Sequence, residues 1–309
     1  MGIQSDSALE QGQKLIEEGK IDEAENLFDQ ALQADLECED LVFALQSCKF
    51  WNDTFKQTKE MVGFEKGELL VSQWKRFKSR TEVSENPSQK IIYAFQKGIY
   101  SIALEAYAND FDEGNIENEA ERYRKAGLCC KKLGSYEKAL LCLKKAYSVK
   151  ETNAAVVAEM ADCYALCGED KRSKLLFKEA FFIDPQKVDL EYLDSPLINI
   201  LVEKVRQKGF KDPYLKEWIP VYGVLLGAFS VKRELRSSDL NKIRQEIYSR
   251  KNELKDPRND AELITPRLLN LFFWLIDHYV ISKESISKIN EVLLEIKILD
   301  PAVYNLYVR

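Results

Sequence analysis

The residues that could support catalysis are few in this 309-residue chain. His278 is the only histidine, and this removes most general-base and nucleophile-activating arrangements because they depend on an imidazole that titrates near neutral pH. It follows Asp277 at the end of an apolar segment, where the dipole of a helix favours a cation. The sequence has no Gly-rich phosphate loop, nucleophile elbow or His-Glu metal motif. We therefore expect no enzymatic activity, no catalytic residue and no cofactor.

Seven cysteines are the other side chains that could do chemistry. Cys163 and Cys167 lie one helical turn apart. They could share a metal with Cys130 or Cys142, but paired zinc-knuckle spacing is missing, so we expect no metal site. The odd number of cysteines and their positions inside predicted helices favour free thiols, which pack as small hydrophobic side chains in a reducing compartment. The seven are Cys38, Cys48, Cys129, Cys130, Cys142, Cys163 and Cys167.

The start of the chain and its most apolar stretch indicate where the protein resides. The residues after Met1 are polar and acidic, without the basic and apolar regions of a secretory signal. Leu268 to Ile276 is the most hydrophobic segment, but spanning a bilayer takes about 20 apolar residues. We therefore expect a cytoplasmic protein without membrane insertion. A helix that is apolar all round is usually buried, so this segment is predicted to cap the fold, and it could also drive homodimerisation.

The charge distribution argues against nucleic acid as a partner. The formal net charge is −6, whereas phosphate binding usually goes with an overall basic balance. A local excess of lysine does occur, but Lys131 and Lys144 belong to different predicted helices. The clustered lysines are Lys131, Lys132, Lys138, Lys144, Lys145 and Lys150.

The elements that position these residues follow a spacing of 34 residues, the period of a helix-turn-helix repeat. Small residues at this spacing mark the sites where one helix presses on another, and the glycine between two helices allows a left-handed turn. Few glycines, eight prolines and abundant Leu, Ala, Glu and Lys favour helices throughout. The recurring residues are Gly127, Gly134, Ala139 and Ala146, followed by Ala161, Gly168, Ser173 and Ala180.

The repeated segments resemble the tetratricopeptide repeat (TPR) family, whose pattern alternates large, small and aromatic residues around a turn glycine and ends in a proline. One copy contains Tyr123, Ala126, Gly127, Cys130, Gly134, Tyr136, Ala139, Leu143 and Ala146. The next contains Val157, Met160, Ala161, Tyr164, Gly168, Ser173, Phe177, Ala180 and Pro185. A further copy near the start contains Gly12, Leu15, Gly19, Ala24, Phe28, Ala31 and Leu32. The resemblance implies an all-α fold, a TPR-like solenoid with a helical C-terminal extension.

The predicted organisation is a solenoid over 1–187 and an extension over 188–309. Repeats are predicted at 5–38, 84–117, 120–153 and 154–187, the second on the residues around Gly98, with a divergent helical pair at 39–83. In the extension, a capping side chain precedes a proline at several points, as at Thr265-Pro266, and marks a helix start. Pro220 should kink or separate helices. The predicted helices are 196–208, 213–230, 238–254, 266–281 and 284–298, with a short piece after Pro301.

The resemblance also implies a function, because TPR proteins bind ligands mainly through the first helix of each repeat on the concave surface. We expect a protein-interaction scaffold or adaptor that takes a peptide or helix of a partner protein. Arg124 and Lys131 could hold an acidic side chain of that ligand, or they could be a solvated basic face. The alternative is an autoinhibited regulatory sensor whose C-terminal helices occupy the groove. The expected groove residues are Ile92, Phe95, Glu121, Arg124, Leu128, Lys131, Lys132, Ala158 and Asp162.

Overall fold

The computed structural model describes residues 3–108, 116–149, 152–233 and 235–309. Within these residues there are fifteen α-helices and two short 3-10 turns, and no strand, which confirms the all-α prediction. The chain divides into two compact units, Met1–Val149 and Lys150–Arg309. The predicted boundary between 187 and 188 lies inside the second unit.

The first unit contains seven helices, and four of its connections are turns of three or four residues. Gly19 and Gly134 have φ of 79° and 76°, so each ends the first helix of a tight hairpin in the left-handed conformation that glycine enters cheaply. The divergent pair predicted at 39–83 is two helices of 20 residues each. The helices are α1 Ile3–Glu17, α2 Ile21–Ala34, α3 Glu39–Thr58, α4 Gly63–Glu82, α5 Gln89–Ala108, α6 Ile116–Lys132 and α7 Tyr136–Val149.

The repeat predicted at 84–117 is corrected by the structure. Gly98 lies inside the continuous helix α5, not at a turn between two helices. A Cβ atom at Gly98 would lie 2.1 Å from the backbone oxygen of Ile16. This glycine therefore allows α1 to approach α5, and the turn expected here is absent. The last part of this predicted repeat, 109–115, lies outside the described residues.

An aromatic cluster forms the centre of the first unit. Trp51 is fully buried and stacks on Trp74 and Phe95 at centroid distances of 6.2 Å each. Phe77 lies 5.5 Å from Trp51 and 5.6 Å from Phe95. Because aromatic pairs add stabilisation beyond the area they bury, this cluster ties α3, α4 and α5 together.

The second unit contains the remaining helices. Four of the five helices predicted between 196 and 298 begin within two residues of the expected position, and the fifth, α13, begins earlier. The helices are α8 Ala154–Leu166, α9 Asp170–Ile183, α10 Pro196–Arg206, α11 Tyr214–Leu225, α12 Ser237–Glu253, α13 Ala261–Ile281, α14 Ile286–Leu299 and α15 Pro301–Tyr307. The 3-10 turns are Pro185–Lys187 and Leu190–Tyr192.

Two prolines of the second unit lie inside helices, and the predicted helix start at Pro266 is therefore wrong. The side chain of Asp260 accepts a hydrogen bond from the Glu262 backbone N–H, so α13 begins more than a turn before Thr265 and contains Pro266. Pro220 is buried within α11 and does not end it. A proline inside a helix costs roughly 3 kcal/mol, and burial of the apolar side chains around Pro220 offsets this cost.

Helix α13 is the core of the second unit. Every residue from Leu268 to Ile276 is buried, which confirms the predicted burial of this segment. At its end Asp277 forms a buried ion pair with Lys178 of α9, and Lys178 also lies 4.9 Å from the centre of the Trp274 ring. None of the helices in the described parts of the chain is long and apolar enough to cross a membrane.

Candidate functional site

The residues predicted to line a concave groove are mostly buried. In the first unit, Phe95 has no exposed surface and belongs to the aromatic cluster, and Leu128 is also buried. Lys131 is only 3% exposed. In the second unit, Ala158 and Asp162 are buried. The burial of these five side chains does not fit a solvent-facing surface, because a ligand could not reach them without a change in the fold.

The other predicted groove residues are partly exposed, but two of them are already paired with each other. Arg124 donates to Glu121 through Nη2 to Oε1 at 2.5 Å and through Nε to Oε2 at 2.9 Å. Burial disfavours the charged carboxylate of Glu121, yet the Arg124 hydrogen bonds and the charges of Arg124 and Lys125 hold its pKa below the usual value. Ile92 and Lys132 are half-buried. The Arg124 guanidinium is therefore engaged within its own helix.

Asp162 of α8 has a structural role in the second unit. Its carboxylate accepts hydrogen bonds from the backbone N–H groups of Asp194 and Ser195, at 2.9 and 2.8 Å. These residues immediately precede α10, so Asp162 holds the segment that leads into that helix. The predicted ligand position on α8 is thus occupied by the protein's own backbone.

An open groove between α3 and α4 of the first unit is the better candidate. We call it the α3–α4 groove, and its volume is about 440 Å³. A smaller pocket that shares Gln46, Phe50 and Arg80 with it continues toward Phe43 and Ser84. The groove is lined by Gln46, Lys49, Phe50, Asp53, Thr54 and Gln57 of α3 and by Gln73, Arg76 and Arg80 of α4.

The helical period explains why these side chains line one groove. On each helix they recur at intervals of three and four residues, which places them on a single face. Trp51 follows the lining residue Phe50, and Trp74 follows the lining residue Gln73. Both tryptophans point away from the groove and are buried in the aromatic cluster. The cluster therefore fixes the rotation of both helices and supports the groove from below.

The aromatic part of the groove is a partly exposed ring with a cation over it. Phe50 lies 5.3 Å from the Trp51 ring and 5.6 Å from the Phe77 ring. The Arg80 guanidinium lies 5.3 Å from the centre of the Phe50 ring. An arginine over an aromatic ring is favourable by about 0.5–1 kcal/mol at an exposed site. The contact joins the two helices across the groove.

The polar groups of the groove are mainly basic and amide groups. Lys49, Arg76 and Arg80 are exposed cations, and Arg76 Nη1 lies 3.5 Å from Gln73 Oε1. The lining carboxylate, Asp53, pairs with Lys56 at 3.0 Å. The groove is thus locally positive in a protein of net charge −6.

The hydroxyl groups at the groove are not positioned as nucleophiles. Thr54 Oγ1 donates to the backbone oxygen of Phe50 at 3.1 Å, and Ser47 Oγ donates to that of Phe43 at 2.8 Å. Both hydroxyls are thus engaged by the backbone of their own helix, and the lining carboxylate of Asp53 is paired with Lys56. The arrangement suits binding of anionic and apolar groups.

Sequence reasoning missed this groove because 39–83 lacks the diagnostic repeat residues. A signal was present in α4, where Lys75, Arg76, Lys78 and Arg80 form a basic run around Phe77. Its significance depends on α3, which places Phe50 opposite Arg80. A basic run on one helix would otherwise be interpreted as a solvated face.

The cysteines are free thiols in the structure. Cys142 is half-buried, and a hydrogen bond from Cys130 lowers its pKa to about 7, helped by the charge of Lys145 and opposed by burial. Burial raises the pKa of Cys48. In the part of the chain that the structure describes, His, Cys, Asp and Glu side chains form no group of three that could hold a metal ion.

Neither a protein-family model, nor a curated protein, nor a solved structure matches this chain. Membership of the TPR family therefore stays a prediction from the residues quoted above.

Proposed function

We propose that this chain is a non-enzymatic, cytoplasmic scaffold or adaptor of the TPR type, and that the α3–α4 groove binds an acidic segment of a partner protein. One observation carries the proposal: the groove combines three exposed cations with a partly exposed aromatic ring. The hairpins with turn glycines at positive φ, Gly19, Gly134 and Gly168, support the TPR assignment. The free thiols support the location.

The length of the groove suits a short peptide segment. From Gln46 to Gln57, α3 rises about 16 Å at 1.5 Å per residue. About five residues of an extended chain, or three turns of a helix, cover this distance. A partner segment of that size can present several side chains to both helices at once.

The chemistry of the groove indicates which side chains the ligand carries. Guanidinium groups pair with carboxylates through two parallel hydrogen bonds, so Arg76 and Arg80 favour Asp or Glu. The Phe50 ring favours an apolar residue nearby. The amides of Gln46, Gln57 and Gln73 can both donate to and accept from a peptide backbone. An acidic segment with one apolar anchor fits this set.

A charge-reversal pair on α4 tests the proposal. Arg76→Glu with Arg80→Glu should abolish capture of the partner from native cell extract, because it replaces attraction with repulsion inside the groove. The control is Lys78→Glu with Lys90→Glu, which changes the net charge equally at exposed sites that do not line the groove. Captured proteins are identified by mass spectrometry for the intact chain and both variants.

The outcome of this comparison is decisive. A protein that is recovered with the intact chain and the control but lost with the groove variant is the partner, and a peptide scan then locates its acidic segment. If every captured protein is retained by the groove variant, the α3–α4 groove is not the binding site.

The autoinhibited sensor remains a second candidate because of one contact. Asp162, a predicted ligand position on α8, is covered by the backbone of Asp194 and Ser195. If a ligand must displace this segment, Asp162→Ala should help it, because the variant loses the two hydrogen bonds that hold the segment. The variant should then capture more partner through the second unit. An unchanged or reduced capture, with helix content preserved in circular dichroism, would argue against the sensor.

A further inference from the structure

The second unit contains a polar cavity of about 310 Å³ that the proposed scaffold function does not use. It lies among α9, the following 3-10 turn, α11, α12 and α13. Its volume is at the lower end of the range typical of small-molecule sites. The polar residues that line it are Asp184, Gln186, Glu217, Glu246, Arg250, Arg267 and Asn270. We call it the polar cavity.

Glu217 is the central group of the polar cavity. It has no exposed surface, and its Oε1 accepts hydrogen bonds from Arg267 Nη2 at 2.6 Å and from Gln186 Nε2 at 2.7 Å. Its second oxygen, Oε2, has no hydrogen-bond partner. A buried carboxylate normally uses both oxygens, so half of this group is unused.

Three further lining residues carry buried polar atoms without a hydrogen-bond partner. They are Nε of Arg250, Nε of Arg267 and Oδ1 of Asn270. Asn270 is 5% exposed and lies within the buried segment Leu268 to Ile276 of α13. Buried polar atoms are nearly always paired in native proteins. The four unpaired atoms belong to side chains that line one cavity, and a molecule bound there completes their hydrogen bonds once these side chains turn toward it.

The unpaired atoms define the chemistry of that molecule. Two of them, on Glu217 and Asn270, are acceptors, and two, on Arg250 and Arg267, are donors. The charges are largely compensated within the protein, because Arg267 pairs with Glu217 and Arg250 pairs with Glu246 and Glu253. A neutral ligand is therefore favoured. A hydroxyl group both donates and accepts, so a ligand with neighbouring hydroxyls can serve both kinds of atom.

We propose that the polar cavity binds a small polyhydroxylated compound of the size of a monosaccharide or a cyclic polyol. Its hydroxyls donate to Glu217 Oε2 and Asn270 Oδ1 and accept from the two arginines. Phe182 and Leu271 are among the apolar residues of the wall. Water also donates and accepts, and a cavity filled only with ordered water is the competing explanation that the experiment must exclude.

Isothermal titration calorimetry of the full chain tests this with four separate probes: D-glucose, D-ribose, myo-inositol and glycerol. We expect saturable binding of at least one probe with a dissociation constant of roughly 1 mM or tighter. Saturation matters because polyols at high concentration also stabilise proteins without binding them. The free amino acid glycine is titrated separately as a zwitterionic probe, because it offers an ammonium and a carboxylate instead of hydroxyls.

Two variants and a control locate the site. Asn270→Leu keeps the side-chain size and removes one acceptor, and Arg250→Met removes the guanidinium, with its ion pairs to Glu246 and Glu253, at a partly exposed position. Each should weaken binding roughly tenfold or more. Asn199→Leu, an exposed position on α10 outside the cavity, should leave the affinity unchanged. Circular dichroism shows whether each variant is folded. If Asn270→Leu does not fold, Arg250→Met alone tests the site.

Each outcome is informative. Saturable binding that both cavity variants weaken and the control retains supports the proposal. It is overturned if no hydroxylated probe binds saturably, since the cavity then holds water, or if all variants bind alike. It is also overturned if glycine binds and the hydroxylated probes do not. None of these results depends on partner capture by the α3–α4 groove.

Discussion

Gly98→Asn should destabilise the protein far more than Gly134→Asn, although both glycines match the turn-glycine position of the repeat pattern. Asparagine is the non-glycine residue best tolerated in the left-handed conformation. Gly134 has that conformation, with φ of 76°, and an added Cβ would meet nothing within 4 Å. Gly134→Asn should therefore cost less than about 1 kcal/mol of unfolding free energy.

Gly98→Asn should cost considerably more. The new Cβ would lie 2.1 Å from the backbone oxygen of Ile16, whereas real Cβ atoms essentially never approach below 3.0 Å, so α1 and α5 must separate by about 0.9 Å. Backbone atoms cannot rotate away as a flexible side chain can. We expect about 3 kcal/mol, the upper end of the cost of overpacking, reduced by a few tenths through the better helix propensity of asparagine.

Urea unfolding followed by circular dichroism measures both variants against the intact chain, and hydrogen exchange localises the effect. The amides of α1 should lose protection in Gly98→Asn and keep it in Gly134→Asn. The reasoning fails if Gly98→Asn destabilises the protein no more than Gly134→Asn. That result would mean that residue 98 is at a turn and that α1 does not press on α5.

Three further predictions concern a thiol, an ion pair and the groove. Alkylation of Cys142 should rise with pH around a midpoint near 7, since the thiolate is the reactive form, and Cys130→Ala should move that midpoint upward in mass-spectrometric labelling. Lys178→Met should destabilise the protein by roughly 3–5 kcal/mol because it leaves Asp277 buried beside a single partly exposed lysine. The double variant with Asp277→Leu should recover much of this loss in thermal unfolding, and no recovery would contradict the argument. Partner binding in the α3–α4 groove should weaken as salt rises, and salt-independent affinity in a titration would exclude an acidic ligand.

Several features could be predicted from the sequence because their causes are local. Gly134 follows the last turn of α6 and precedes α7, so the residue types within a few positions determine that a turn forms there. The burial of Leu268 to Ile276 follows equally from the apolar character of every face of that helix. The capped start at Asp300-Pro301 is likewise a short-range effect, and the structure shows Asp300 accepting from the N–H groups of Ala302 and Val303.

The candidate site could not be predicted in the same way. Lys131 and Asp162 have the spacing of groove residues, but burial depends on which segments cover them, and periodicity identifies a face without saying what lies against it. Lys49 and Arg76 come from helices without repeat residues. They share a groove only because the aromatic cluster around Trp51 fixes the rotation of α3 and α4.

The sequence by itself determined the all-helical character of this protein, most helix positions and the turns at Gly19, Gly134 and Gly168, because propensity, capping and turn conformation act over a few residues. Only the tertiary structure showed why residue 98 of α5 is a glycine, since a Cβ there would meet the carbonyl of Ile16, more than 80 residues earlier in the chain. It also decided which cations face an open groove and which polar atoms share a cavity. Both depend on long-range packing, which no short-range pattern specifies.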